Sequence, residues 1–302
     1  MKLKRAGILF ILLIFVAGMI AGCQPRFQSG TFTDDAGRQV SVSKVPERIV
    51  SHVPPITETL FALGLGEKLV GVSDYCDYPE EAKQVPSIGD YFNPSVENIV
   101  AAEPDLVLTD GHSDSIKQLD ELGVTYLVID PKDIDDIFES IELLGKATGV
   151  EKTARELIDD MKRDIQSVRE LVEDAPKVRV IYLIDATDLT SPWTAGPGSF
   201  VDYLISMAGG ENIAATAASA WVQMNIEEIV DADPEIIILP GKHGTAFTTP
   251  EVLEENAAWR ETTAVKEGNI YVIDGDLVDG YGPRIVQGLA ELAKIIHPEQ
   301  FK

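Results

Sequence analysis

Val96-Glu97-Asn98-Ile99-Val100-Ala101-Ala102-Glu103-Pro104-Asp105-Leu106-Val107-Leu108 returns 130 residues later as Ile226-Glu227-Glu228-Ile229-Val230-Asp231-Ala232-Asp233-Pro234-Glu235-Ile236-Ile237-Ile238. Each copy reads as a short helix, a proline that ends it, and a β-branched run too uniformly apolar for a strand with one wet face. A helix feeding a strand buried on both faces is a building block of parallel sheets. Two copies therefore predict an α/β protein of two similar lobes, each with a central, mainly parallel sheet flanked by helices.

The flanking sequence repeats the same order. Arg48-Ile49-Val50-Ser51 is a predicted strand running into Pro54-Pro55, after which Thr57-Glu58 is expected to cap a helix over 59–63 that Gly64 stops. Arg179-Val180-Ile181-Tyr182-Leu183-Ile184 plays the same part in the second half, where Ser199 is a predicted N-cap for a helix through Met207 that ends at Gly209-Gly210. Further strands are expected at 68–72, 125–129 and 269–273, and helices at 115–122, 134–148 and 284–296. Between the halves, residues 150–173 contain neither Gly nor Pro and repeat apolar residues at helical spacing from Ala154 to Val172. One long helix is predicted there, a rod of ~36 Å that resists wide hinging. The resulting division is a first lobe over 32–149, a linker helix over 150–175 and a second lobe over 176–302.

The amino-terminal stretch has a different character. Lys2, Lys4 and Arg5 precede an apolar run from Ile8 to Ile20, and Ile20-Ala21-Gly22-Cys23 closes it with small residues. The run is shorter than the ~20 residues a helix needs to span a bilayer, so 1–22 reads as a secretory signal. The spacing matches a lipobox: Cys23 is expected to carry the lipid, with 23–31 as a polar tether and the protein held on the extracytoplasmic face of the cell membrane. Cys76 is the only other cysteine, which leaves a lipidated chain without an internal disulfide. The net charge of −25 falls to −28 once Lys2, Lys4 and Arg5 are removed, which argues against nucleic acid as a partner.

Taken together, several motifs resemble the helical-linker (class III) periplasmic binding proteins of the cobalamin, ferric-siderophore and haem importers. They are Phe32-Thr33-Asp34-Asp35-Ala36-Gly37-Arg38, Pro46-Glu47-Arg48-Ile49-Val50-Ser51, Gly71-Val72-Ser73-Asp74-Tyr75-Cys76-Asp77-Tyr78-Pro79, the duplicated segment and Gly282-Pro283-Arg284. The Asp74–Pro79 stretch and Trp193-Thr194-Ala195-Gly196-Pro197-Gly198 look most like the cobalamin-binding branch. The resemblance implies a monomeric binding protein that hands a small ligand to an ABC permease dimer with its ATPase. It also implies that Glu97 and Glu227, one per lobe, dock on that permease, although a carboxylate on a helix's first turn also has a purely local role.

Ligands of α/β lobes bind beyond the carboxyl ends of the strands, and the loops there are rich in rings. By the family pattern Tyr75, Tyr91 and Trp221 match positions that contact cobalamin, and Asp276 matches a polar contact at the rim. With His52, Phe92, Trp193 and Tyr281 from the same set of loops, these form the expected ligand site. Such a site would wall a large flat corrinoid, with a ferric siderophore or haem as the alternative ligand. Asp110-Gly111 stands where the family pattern has a further ring. His52, His112 and His243 follow strands, but nothing in their spacing forces them to converge on a metal, so no metal site or required cofactor is expected. Lys242 and Arg284 are the visible basic candidates for the cleft. The sequence has no serine elbow with an acid and base, no HExxH helix and no lysine-bearing phosphate loop, and so does not read as an enzyme.

Overall fold

The computed structural model describes residues 29–241 and 248–302, so Cys23, Lys242, His243 and Phe247 lie outside the described residues. The first lobe opens with a hairpin of β1 (Gly30–Thr33) and β2 (Gln39–Val42). It continues through β3 (Ile49–Ser51), α1 (Pro54–Ala62), β4 (Leu69–Val72), α2 (Val96–Ala101), β5 (Leu106–Thr109), α3 (Asp114–Glu121), β6 (Tyr126–Val128) and α4 (Ile134–Thr148). Its four central strands are all parallel, in the order β4-β3-β5-β6.

The rod between the lobes is α5 (Glu151–Val172). It buries Ala154, Ile158, Met161, Ile165, Val168 and Val172, a stripe at alternating steps of four and three, while charged residues fill its outer face. Each large aliphatic side chain so buried contributes ~1.5–3 kcal/mol. The stripe belongs to one apolar core that runs from Ile49 of the first lobe to Ile296 of the second.

The second lobe follows with β7 (Val178–Asp185), β8 (Trp193–Ala195), α6 (Phe200–Met207), β9 (Gly210–Asn212), β10 (Trp221–Gln223), α7 (Ile226–Ala232), β11 (Ile236–Gly241), α8 (Pro250–Glu255), α9 (Thr263–Glu267), β12 (Ile270–Asp274) and α10 (Ile285–Ile296). Strands β7, β9, β11 and β12 are parallel, and β8 and β10 add an antiparallel ribbon at the carboxyl end of β7.

The duplicated segment folds twice in the same way, down to the backbone. Glu103 and Asp233, the residue before the proline in each copy, both take the left-handed conformation at φ 46°. In both lobes an arginine at the start of a strand grips the carbonyls that the helix end leaves open. Arg48 donates to Ala102 O and Glu103 O, at 3.2 and 3.0 Å from Nε, and Arg179 Nε donates to Asp233 O at 2.8 Å. The carboxylates of Asp105 and Glu235 accept from the backbone N–H groups of Arg48 and Arg179 in return.

One sequence expectation is corrected. Helix α1 begins at Pro54 and not at Thr59, because the two prolines occupy its first positions, where a helix has no use for their missing N–H groups. Thr57 and Glu58 are thus inside the helix and buried. The Thr57 hydroxyl donates to Ser51 Oγ at 2.7 Å and caps nothing.

Candidate functional site

The carboxyl ends of β3, β4 and β5 present a cluster of rings. Tyr91 is its centre: its ring stacks on His52 at 5.4 Å and 17°, and meets Phe92 and Tyr75 edge-on at 4.9 and 6.4 Å. Tyr75 and Phe92 are exposed, Phe92 to 67%, so this is apolar area held ready at a surface.

Tyr91 is fixed from two sides. Its hydroxyl donates to Asp110 Oδ2 at 2.5 Å, and His52 lies beneath the ring with no exposed surface at all. His52 Nε2 is 2.7 Å from the Tyr91 carbonyl oxygen, which can only accept, so Nε2 carries the proton. Nδ1 therefore accepts from the Thr109 hydroxyl at 3.0 Å. Burial lowers the His52 pKa, which keeps the ring neutral in this arrangement. His52, expected among the ligand contacts, has both ring nitrogens committed inside the lobe and supports Tyr91. Asp110, where the family pattern has another ring, is the second support. Burial and the Asp110 carboxylate both push the Tyr91 hydroxyl pKa up, so it stays protonated and donating.

Tyr281 comes from the second lobe, between β12 and α10. Its hydroxyl donates to Ile129 O of the first lobe at 3.2 Å, and its ring tilts against Phe200 at 6.2 Å. Desolvation, with Asp110 and Tyr91 nearby, raises its pKa well above the ordinary phenol value. The hydroxyl of Tyr281, a residue expected in the ligand site, is thus engaged in a lobe-to-lobe contact. A cavity of about 400 Å³ in the first lobe has Asp35, Arg38, Asp110, His112, Lys117 and Asp130 among its lining residues.

Trp193 and Trp221 lie on the β8–β10 ribbon. The register pairs Trp221 with Ala195 and Trp193 with Gln223, which places the two tryptophans on one face in a diagonal arrangement. Trp193 is exposed, whereas Trp221 is half-buried against the core. Among the described residues no ring contact joins either of them to the Tyr75–Tyr91–Phe92 cluster. Asp276 lies in the turn after β12, where its N–H donates to Asp274 Oδ1 at 3.1 Å. Three residues on, Asp279 accepts from the buried Tyr182 hydroxyl through both oxygens, at 2.9 and 2.8 Å, and burial raises its pKa to about 7.

The charge around the rings is acidic. Asp130 draws in Lys132 and stands 3.5 Å from His112 Nε2, and Arg38 is bound to Asp34. Arg284 is not a cleft cation: it forms a bidentate pair with Glu58 of α1, at 2.8 and 2.6 Å, and its guanidinium lies 3.9 Å over the Tyr78 ring. Both partners are nearly inaccessible, and removing one would cost about 3–5 kcal/mol by leaving the other buried and unpaired. This lobe-to-lobe pair was not foreseen, since no sequence pattern marks two opposite charges 226 residues apart. No group of three or more metal-ligating side chains occurs among the described residues.

Glu97 and Glu227 occupy matching places on the first turns of α2 and α7, both exposed and held on helices whose ends the two arginines brace. The helices are capped by Ser95 and by Asn225, the latter in a full capping box with Glu228.

Comparison with known proteins gives a consistent picture. A family model described as periplasmic binding protein matches residues 49–277. An uncharacterized ABC transporter substrate-binding lipoprotein of Bacillus subtilis, YvrC, is 36% identical, with 99% of each chain covered. A cobalamin-binding protein of Halobacterium salinarum is 29% identical over 88% of this chain and 74% of that protein. Among solved structures, the periplasmic heme-binding protein RhuT of Roseiflexus sp. superposes with a TM-score of 0.76 at 28% identity, covering 84% of this chain and 99% of that one.

Proposed function

Because this chain belongs to the periplasmic binding protein family, we propose that it is the extracytoplasmic solute-binding component of an ABC importer, and that its ligand is a cobalamin-like corrinoid. It is a binding protein and not an enzyme. In this reading residues 32–149 and 176–302 are the lobes that hold the ligand, and 150–175 is the rod between them. The leader 1–22 is removed, and a lipid on Cys23 tethers the monomer to the membrane through 23–31. Glu97 and Glu227 each meet one subunit of the permease dimer that the ATPase drives.

The observation that carries the ligand assignment is the pairing of a rigid ring wall with an acidic surround. Tyr75, Tyr91 and Phe92 offer flat apolar area whose ordering is already complete, since His52 and Asp110 hold Tyr91 in place. On the opposite lobe Trp193 and Trp221 supply further rings, and Asp276 and Tyr281 lie in the segment leading into α10. The arginines near the site, Arg38 and Arg284, are bound to Asp34 and Glu58. Most iron-loaded siderophores, and a haem with two propionates, carry negative charge and call for free guanidinium groups. A corrinoid edged with neutral amides does not.

Calorimetric titration of the mature protein with cyanocobalamin, cobinamide, haemin and a ferric-siderophore panel tests the assignment. The expected result is one corrinoid per chain, returned chemically unchanged, with a dissociation constant at or below the micromolar range. Binding of haemin or a siderophore with no response to either corrinoid would transfer the assignment to that ligand.

A further inference from the structure

A groove of about 860 Å³ lies outside the ring cluster, at the joint of all three parts of the molecule. The first lobe contributes Phe61 at the end of α1 and Val85, the linker helix α5 contributes Leu157 and Met161, and the second lobe contributes Val286 of α10. These side chains make an apolar floor of a size that suits a drug-sized molecule.

The rim is uniformly acidic: Glu67, Glu81, Asp160 and Asp164 line it. Cations in the neighbourhood are engaged elsewhere or stand outside. Lys68 is held by Glu47 and Lys83 by Glu80, while Arg163 sits exposed against Asp160 on its own helix. The one basic residue in the lining is Arg284, whose guanidinium Glu58 holds in a bidentate pair. An anion would therefore meet Glu67, Glu81 and Asp164 beside an Asp160 already shared with Arg163, and a neutral apolar body would leave the excess negative charge uncompensated.

We propose that this groove binds a cationic amphiphile, with a flat apolar body against Phe61, Leu157 and Met161 and its positive charge among Glu81, Asp160 and Asp164. The occupant touches both lobes and the linker beside the Glu58–Arg284 pair, so it braces the joint in the arrangement described above.

The test uses the mature protein and 9-aminoacridine, an aromatic monocation at neutral pH, followed by equilibrium dialysis. Saturable binding of one cation per chain is expected, undisturbed by saturating cyanocobalamin. The double substitution Asp160→Asn with Asp164→Asn, on the exposed face of α5, is expected to weaken it about tenfold and to remove most of its salt dependence. Glu81→Gln, outside that helix, is expected to weaken it in the same sense. Three results would each overturn the proposal: unchanged affinity in these variants, equal binding of the anionic probe 1-anilinonaphthalene-8-sulfonate, or displacement of the cation by cobalamin, which would put it between the lobes.

Discussion

Asp279 shows how a single buried carboxyl leaves a signature in the stability of the whole chain. Desolvation raises its pKa from 3.8 to about 7, partly offset by the hydrogen bond from Tyr182, with Asp276 adding like-charge repulsion. Between those two values the folded protein retains a proton that the unfolded chain has released. Stability therefore falls as pH rises through that window, by an amount on the order of a few kcal/mol, and is insensitive to this group below it. Replacing Asp279 with Asn keeps an acceptor for Tyr182 but removes the titration. Melting temperatures compared at pH 5 and pH 8 are expected to drop more for the wild type than for Asp279→Asn. Parallel losses in the two proteins would mean that Asp279 ionises freely where it stands. The same scale explains His52 and Asp110: His52 was expected to meet ligand and Asp110 stands where the family pattern has a ring, and their neighbours make them props for Tyr91.

At the scale of elements, α2 and α7 are the informative pair. Each is short enough that its local hydrogen bonds alone would not hold it. Each is stabilised by an N-cap at one end and an arginine across its open carbonyls at the other. The consequence is a fixed position for Glu97 and Glu227 on two small, well-braced platforms. Glu97→Ala and Glu227→Ala are expected to leave corrinoid affinity unchanged in titration while reducing uptake by whole cells, because a carboxylate that meets the permease is read only in the assembled transporter. Weakened ligand binding in either variant would place these side chains in the pocket instead.

For the molecule as a whole, the linker helix, the Glu58–Arg284 pair and the Tyr281–Ile129 hydrogen bond join the lobes by three independent routes, over a core that is continuous between them. Extended crossovers would let the lobes swing, whereas a packed rod with a buried ion pair beside it permits only small rocking. Small-angle scattering of the mature protein with and without cyanocobalamin is accordingly expected to show nearly the same radius of gyration. A large compaction on loading would mean that the interlobe contacts open in the free protein.

The two-lobed α/β architecture was legible in the sequence because it depends on local and repeating features. The β-branched runs after Pro104 and Pro234, the apolar stripe of α5 and the Ser199 cap each declare their element within a few residues, and the repeat declares that there are two such units. Which rings stand on loops that follow strands was legible for the same reason, since the strands themselves are declared locally. What each ring or charge does there was decided only by tertiary structure. Tyr91 is anchored by residues 39 positions before it and 19 after it, and Arg284 is neutralised by a glutamate 226 positions away. Such pairings depend on how the loops pack in three dimensions, a property that neither composition nor periodicity records.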